Sequence, residues 1–319
     1  MSLGRRPAAH AILVYHPDQA PEYAERIRKP ANVRLEVAAD EAAARKVIAD
    51  VDVVYAWKLP TNLYGSAGRL RWIQAMGAGV DWALAEPLPR GVTLTRAPGI
   101  FGPWMTEYVL AWCLWVTQRM AIYTRAQQDR AWAETVLPDR LRGKTVVLVG
   151  VGDIGKTIAR AIRALGARVL GVNTTGRPVA GVQRVYPTRH MRGALSQADF
   201  VVLLVPLTAS TRGLIGAREL AAMKPAAWLI NVARGAVVDE SALVAALRAR
   251  RIGGAILDVF EKEPLPSDHP LWGLENAVLT PHIAGPSTVE EIAPIFNDNL
   301  RRFLQGRPLR HRVDPEKGY

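Results

Sequence analysis

The sequence predicts an α/β protein with two parallel-sheet domains, and three observations lead to this class. At roughly 150 residues per domain, a chain of 319 residues is long enough for two. Short β-branched and apolar runs alternate with alanine-rich, charged stretches, which indicates strands separated by helices and a sheet covered on both faces. The glycine-rich segment Gly150–Gly155 follows one such strand directly and opens a helix.

The first half of the chain contains five predicted strands. They are Ala11–Tyr15, Val33–Val37, Val51–Tyr55, Arg71–Ala75 and Val92–Thr95. A helix is predicted over Glu41–Ala49 and a longer one over Thr106–Met120, with Glu107 in its first turn. The breaker-rich run Pro98–Pro103 precedes the longer helix and marks a domain boundary.

A second series of six strands follows. They are Thr145–Val149, Arg168–Val172, Phe200–Val205, Ala227–Val232, Ala255–Val259 and Ala277–Thr280. Their nearly continuous apolar composition is typical of strands that are buried on both faces. Helices are predicted over Lys156–Leu165, Ser241–Arg250 and Val289–Gln305, and we expect the tail beyond Arg307 to be loose.

Composition excludes several classes of protein. Hydrophobic residues make up 49% and charged residues 22% of the chain, which is ordinary globular usage and argues against a disordered or fibrous protein. No apolar run approaches the roughly eighteen residues that a membrane span needs, so we expect no membrane partner. Residues 1–6 have no apolar core after their basic pair, so we expect no secretory signal.

The net charge and the cysteine count bear on the expected binding partners and on the expected cellular compartment. The net charge is +12, but the arginines are scattered rather than clustered, so we expect no nucleic-acid partner. The single cysteine, Cys113, excludes an internal disulfide, a thiolate zinc site and an iron–sulfur cluster. We therefore expect a cytoplasmic protein without a metal site.

The spacing of the glycine-rich segment is typical of a dinucleotide-binding loop. Gly150 permits a tight turn, Gly152 lets the backbone approach a pyrophosphate, and Gly155 lets helix and strand pack closely. The segment opens a helix, whose free N–H groups and partial positive charge favour phosphate, and Asp153 and Ile154 within the segment are candidate cofactor contacts.

The end of the next strand bears on the choice between NAD and NADP. An NAD-selective site usually places Asp or Glu there to bond the ribose 2′-hydroxyl, but this chain has Asn173 and no acidic residue nearby. Thr174, Thr175 and Arg177 could bond a 2′-phosphate, the arginine most strongly. We therefore expect NADP(H) to be preferred and NAD(H) to remain possible. The alternative, that these are ordinary turn residues, stays open.

Three further strand ends carry Arg234, Glu263 and His282. Because ligands bind at the carboxyl ends of strands in open parallel sheets, these side chains can converge although they are far apart in sequence. They fit hydride transfer between nicotinamide and a 2-oxo acid. His282 would donate a proton to the carbonyl oxygen, Glu263 would fix the tautomer of that imidazole, and Arg234 would bind the substrate carboxylate.

The motifs together resemble the D-isomer-specific 2-hydroxyacid dehydrogenase family over nearly the whole chain. The matching stretches are Met76–Asp81, Gly150–Gly155, Val205–Thr208, Asn231–Gly235, Asp258–Pro264 and Pro281–Gly285. The resemblance implies a Rossmann cofactor domain, 104–284, inserted into a flavodoxin-like catalytic domain formed by 1–103 and 285–319.

The resemblance also implies further contacts. The N–H groups of Ala78 and Gly79 would bind the substrate carboxylate, and Asp258 would contact the nicotinamide carboxamide. The cofactor-binding set is Gly150, Gly152, Asp153, Ile154, Gly155, Asn173, Thr174, Thr175, Arg177, Val205, Pro206, Ala233 and Asp258. Family members are typically homodimers joined through the cofactor domain and the segment Ala121–Trp132.

Within the family, a neutral residue such as Asn173 at this position makes the chain resemble the NADPH-using glyoxylate and hydroxypyruvate reductases. The sequence therefore predicts reduction of a small 2-oxo acid to the 2-hydroxy acid. A D-lactate-type or 3-phosphoglycerate dehydrogenase is one alternative. A dinucleotide-sensing, corepressor-like binding protein is another.

Overall fold

The computed structural model describes residues 10–319, which divide into two compact units. The first unit holds the described residues up to Ile100 together with Ser287–Tyr319, and the second consists of Phe101–Pro286. Residues 1–6, where we expect no secretory signal, lie outside the described part of the chain. Within residues 10–319, no helix is both long enough and apolar enough to cross a membrane.

The first unit contains a five-stranded parallel sheet. Its strands are β1 (His10–Tyr15), β2 (Val33–Ala38), β3 (Val53–Ala56), β4 (Trp72–Ala75) and β5 (Thr93–Thr95). They lie in the order β2-β1-β3-β4-β5, which is the flavodoxin-like order. Two helices of the unit are α1 (Ala20–Glu25) and α2 (Glu41–Val47). Asp40 begins α2 by accepting a hydrogen bond from the Ala43 N–H.

The second unit contains a seven-stranded parallel sheet, which we call the second sheet. Its strands are β6 (Thr145–Val149), β7 (Arg168–Asn173), β8 (Arg184–Pro187), β9 (Phe200–Leu203), β10 (Trp228–Asn231), β11 (Gly254–Leu257) and β12 (Ala277–Leu279). The order is β12-β11-β10-β9-β6-β7-β8. With both sheets parallel and flanked by helices, the predicted class of two α/β domains is confirmed.

Six helices belong to the second unit. They are α3 (Phe101–Thr117), α4 (Met120–Gln128), α5 (Asp153–Ala164), α6 (Arg192–Leu195), α7 (Ala217–Ala222) and α8 (Glu240–Arg248). The core of this unit lies where β6, β9 and β10 are buried between the helices. This burial on both faces explains the continuous apolar runs.

The predicted start of the long helix is wrong. We expect it to begin at Thr106, after a breaker-rich run, but α3 begins at Phe101 and includes Pro103. A proline is tolerated in the first turn because the N–H that it lacks would have no helical partner there. The helix also ends early, at Thr117, and Arg119 adopts a left-handed conformation (φ 58°) before α4 begins.

The predicted loose tail is also wrong. Helix α9 (Val289–Leu304) returns to the first unit and stacks Phe296 on the Tyr55 ring, with centroids 4.0 Å apart. Beyond it, Val313 is buried and its N–H donates to the Leu94 carbonyl of β5. The tail is held in place because its backbone pairs with the edge strand β5. The polar composition of the tail gives no sign of this pairing.

Candidate functional site

All of the predicted site residues in the second unit lie at or after the carboxyl ends of strands of the second sheet. We call this row of strand ends the carboxyl edge. The strand order reverses at β6, which has β7 on one side and β9 on the other. A reversal of this kind opens the crevice in which open α/β sheets bind ligands.

The three glycines of the loop after β6 have three different environments. Gly150 has a φ of +102°, and a Cβ there would lie 2.8 Å from the Leu204 carbonyl carbon. A Cβ on Gly155 would lie 2.5 Å from the Gly150 oxygen. A Cβ on Gly152 would instead meet no atom within 4 Å. The first and third glycines thus close the loop onto the sheet and the helix, and the second leaves open backbone where a pyrophosphate fits.

Helix α5 begins directly behind this loop. Gly152 is its N-cap, and no side chain caps the helix there. Asp153 and Ile154 are the first two helical residues, so their N–H groups have no acceptor within the helix. The loop and the start of α5 therefore offer open backbone and N–H groups without a helical acceptor, the two features that a dinucleotide-binding loop requires.

The turn after β7 is organised by Asn173. Its Oδ1 accepts hydrogen bonds from the N–H groups of Thr175 (3.1 Å) and Gly176 (2.6 Å), and its Nδ2 donates to the Arg177 carbonyl at 3.0 Å. Thr174, Thr175 and Arg177 are exposed. The amide of Asn173 thus shapes a turn whose exposed hydroxyls and guanidinium stand at the strand end where a dinucleotide ribose is read.

Three other predicted cofactor residues also lie on the carboxyl edge. Val205 and Pro206 follow β9, and Ala233 follows β10. Val205 is half-buried, Pro206 is exposed and Ala233 is buried.

Glu263 and His282 are brought together from the loops after β11 and β12. Glu263 Oε2 lies 2.8 Å from His282 Nδ1, and Glu263 Oε1 accepts the Phe260 N–H at 3.1 Å. An ionised carboxylate has no proton to donate, so the proton of this bond belongs to Nδ1. The His282 side chain is 32% exposed and that of Glu263 29%. The imidazole is therefore oriented by a carboxylate and still reachable by a substrate.

His282 has an unusual backbone conformation. Its φ is 57°, in the left-handed region that costs a residue with a Cβ of order 1–3 kcal/mol. Its N–H donates to the Thr280 carbonyl at 3.1 Å. Such a conformation persists only where the surrounding contacts enforce it.

Arg234 lies in the loop after β10. Its Nη1 donates to the Ala233 carbonyl at 2.8 Å, and the Asn231 amide donates to the Arg234 carbonyl at 3.1 Å. The next residue, Gly235, packs so tightly that a Cβ there would lie 1.9 Å from the Phe260 carbonyl carbon. The loop of Arg234 is thus pressed against the loop that leads to Glu263.

Asp258 makes contacts that the sequence does not predict. This residue is 1% exposed. Its Oδ1 accepts from the Thr280 hydroxyl (2.6 Å) and the Ile283 N–H (2.8 Å), and its Oδ2 accepts from the Ala284 N–H (2.8 Å). Asp258 therefore anchors the loop that carries His282. Sequence reasoning missed Thr280; its place two residues before His282 was the available signal.

Ala78 and Gly79 belong to the first unit. They follow the carboxyl end of β4 and are half-buried. At the adjoining Gly77, a Cβ would lie 3.2 Å from the Trp57 ring. The two residues thus lie at the carboxyl edge of their own sheet, the kind of edge at which open parallel sheets bind ligands.

The chain is similar to a family of known enzymes. Residues 110–284 match the model for the NAD binding domain of D-isomer specific 2-hydroxyacid dehydrogenases. A glyoxylate reductase from Thermofilum pendens is 36% identical over 261 residues, which is 78% of this chain and 76% of the relative. A glyoxylate/hydroxypyruvate reductase A from Serratia proteamaculans is 32% identical over 275 residues, 84% of this chain and 88% of the relative.

A solved structure matches the chain over nearly its whole length. It is an NADPH-dependent glyoxylate/hydroxypyruvate reductase from Sinorhizobium meliloti in complex with NADP and sulfate. It matches with a TM-score of 0.88 at 30% identity and covers 97% of this chain and 99% of that one.

Proposed function

Because the chain belongs to the D-isomer-specific 2-hydroxyacid dehydrogenase family, we propose that it reduces a small 2-oxo acid, glyoxylate or hydroxypyruvate, with NADPH. The predicted family and enzyme class are confirmed by the family match and the relatives. The choice of substrate and of NADPH is our proposal, and the relatives named glyoxylate or hydroxypyruvate reductases support it.

The observation that carries the proposal is the 2.8 Å contact between Glu263 and His282. With the carboxylate bonded to Nδ1, the ring is oriented and Nε2 is left to serve as the proton donor. Reduction of a carbonyl builds negative charge on its oxygen, so a donor must be in place as the charge develops. His282 would supply that proton, and Glu263 would stabilise the charged ring.

The substrate carboxylate would be bound by Arg234. The N–H groups of Ala78 and Gly79 stay a prediction that the family resemblance implies. A guanidinium binds a carboxylate through two parallel hydrogen bonds, and this orients the neighbouring carbonyl. Arg234 would then also polarise that carbonyl. Its position in the loop pressed against the loop of Glu263 supports this role.

The residues of the carboxyl edge fit a bound dinucleotide. NADPH, when bound, supplies the hydride. The open backbone at Gly152 and the first N–H groups of α5 would hold its pyrophosphate. Thr174, Thr175 and Arg177 would bond its 2′-phosphate, since no carboxylate stands there to repel it.

The domain roles follow the two compact units. We assign the cofactor domain to 104–284 and the substrate-binding domain to 1–103 and 285–319. The division of the structure near Ile100 and Pro286 supports this assignment. We place the enzyme in the cytoplasm, since its single cysteine permits no internal disulfide.

We also propose that the enzyme is a homodimer joined through the cofactor domain. Helix α4 has no buried residue, and the segment that follows it exposes large apolar side chains. Trp132 is 88% exposed and Leu137 76%. An apolar surface of this kind is typical of an interface.

The test is a spectrophotometric assay of NADPH oxidation with glyoxylate, hydroxypyruvate, pyruvate and phosphohydroxypyruvate. We expect turnover with one of the first two acids, and a fall of roughly 10²–10⁴-fold in kcat for His282→Ala at neutral pH. The matched control is His190→Ala, which changes a histidine elsewhere in the same unit.

The other outcomes separate the alternatives. Turnover with pyruvate or phosphohydroxypyruvate alone would indicate a lactate-type or phosphoglycerate enzyme. No turnover with any of the four acids would remove the proposal and favour a dinucleotide-sensing protein. An unchanged rate in His282→Ala would refute its role as the acid.

A further inference from the structure

A chain of hydrogen bonds runs from helix α3 to the loop of His282. The Tyr108 hydroxyl lies 2.6 Å from Thr280 Oγ1, and the Thr280 hydroxyl lies 2.6 Å from Asp258 Oδ1. All of these residues belong to the second unit. Thr280 must donate to the carboxylate, which is acceptor-only. Since its single proton is used there, Tyr108 is the donor to Thr280.

Tyr108 remains the donor to Thr280 at neutral pH. Burial raises the pKa of Tyr108 to about 12, so the phenol keeps the proton that it donates. The Tyr108 ring also contacts Trp112 one turn further along α3, edge to face, with centroids 6.0 Å apart. The position of the Tyr108 hydroxyl beside Thr280 is therefore fixed by helix α3 and by the packing of the ring.

The far end of the chain holds a strained residue. Asp258 accepts the N–H groups of Ile283 and Ala284, the two residues after His282. Thr280, two residues before it, is fixed by the same carboxylate, and its carbonyl accepts the His282 N–H. Asp258 thus bonds the backbone or side chain of residues on both sides of His282, whose φ is left-handed.

We propose that Tyr108 is a positioning residue for His282 and acts through Thr280 and Asp258. Its hydroxyl orients that of Thr280, which joins α3 to the Asp258 carboxylate under the loop. Bonds in such a chain polarise and strengthen one another, so loss of the first donor weakens the hold on the strained residue. This inference rests on the proposed role of His282 as the acid.

Tyr108→Phe removes the donor and keeps the ring. We expect kcat to fall about fivefold to tenfold, the effect of one hydrogen bond, while KM for NADPH stays unchanged. Thr280→Val should lower kcat at least as much, and Thr280→Ser, which keeps the hydroxyl, should restore most of it. The double variant Tyr108→Phe/Thr280→Val should be no slower than Thr280→Val alone, because both changes break one chain.

A second readout does not depend on activity. Hydrogen exchange measured by mass spectrometry on the peptide that spans 280–286 should be about fivefold faster in Tyr108→Phe at the amides of Ile283 and Ala284. The matched control is Tyr186→Phe, which removes another tyrosine hydroxyl of the second unit, one that accepts from Gln197 at 2.9 Å. It should change neither kcat nor the exchange of this peptide.

The two proposals fail in different ways. An inactive wild-type enzyme would remove the proposed function, and the exchange measurement would still decide the positioning. An active wild type with unaltered kcat and exchange in Tyr108→Phe would overturn the role of Tyr108. So would full additivity in the double variant.

Discussion

Asn173 shapes the turn after β7 and, in the proposed function, also bears on the choice between NADPH and NADH. Its amide closes the turn after β7 through three hydrogen bonds to backbone groups. The same amide leaves the strand end uncharged, where an aspartate would repel a 2′-phosphate. The sequence predicts the absence of charge, but the hydrogen bonds of the turn depend on backbone conformation and appear only in the structure.

This residue gives a prediction about cofactor choice. Asn173→Asp keeps the acceptor for Thr175 and Gly176 but adds a negative charge, so the ratio of kcat/KM for NADPH to that for NADH should fall about tenfold or more, equivalent to roughly 1.4 kcal/mol. The ratio is measured by steady-state kinetics with both cofactors.

The matched control is Asn297→Asp in the first unit. That amide also accepts one backbone N–H and donates to one carbonyl, those of Arg28 and Arg26. It should leave the cofactor ratio unchanged. If Asn173→Asp leaves the ratio unchanged as well, the 2′-phosphate site lies elsewhere.

At the scale of elements, the site depends on how loops pack rather than on strands alone. The loops after β10 and β11 touch at Gly235, where no Cβ fits beside the Phe260 carbonyl carbon. Sequence reasoning placed Arg234 and Glu263 at neighbouring strand ends because parallel strands end at one edge. It could not predict that Gly235 sets the distance between these loops, since a glycine after a strand is equally typical of a turn.

The prediction at this scale is that Gly235→Ala damages both fold and activity. The added methyl overlaps backbone, so we expect about 1–3 kcal/mol of destabilisation from overpacking and a fall in kcat/KM of about tenfold or more as the two loops separate. Urea unfolding and steady-state kinetics measure these effects. Gly273→Ala is the matched control, because a Cβ there meets no atom within 4 Å; equal effects of the two changes would contradict the prediction.

Two of the elements that sequence reasoning missed, β8 and α7, share a cause. Strand β8 is short, half exposed and ends in Pro187, a residue that sheets tolerate at edges. Helix α7 spans only Ala217–Ala222. Both lack a long periodic pattern, so tertiary pairing rather than local preference forms them.

At the scale of the whole molecule, the chain leaves the first unit after Ile100 and returns at Ser287. Each unit has its own parallel sheet and its own buried core. The alternation of strands and helices predicts two such units, and the sequence places their boundary in the run Pro98–Pro103, which overlaps the first turn of α3.

The proposed homodimer gives the prediction for the whole molecule. Light scattering should give twice the chain mass of 34.9 kDa. The double change Trp132→Ser/Leu137→Ser should move the protein toward the monomer, because it removes the two most exposed large apolar side chains of this surface. Trp272→Ser is the matched control, a tryptophan that is 58% exposed elsewhere in the unit. A monomeric wild type would contradict the proposal.

By itself, the sequence determined the fold class, the family and the identity of the side chains at the carboxyl edge, because strand–helix alternation and glycine spacing are local patterns. Only the tertiary structure decided that Glu263 bonds His282, that Asp258 and Thr280 enforce its left-handed backbone, and that the tail beyond Arg307 pairs with β5. The physical reason is that these contacts join segments from different strands. Their geometry depends on sheet order and close packing, which no local pattern encodes.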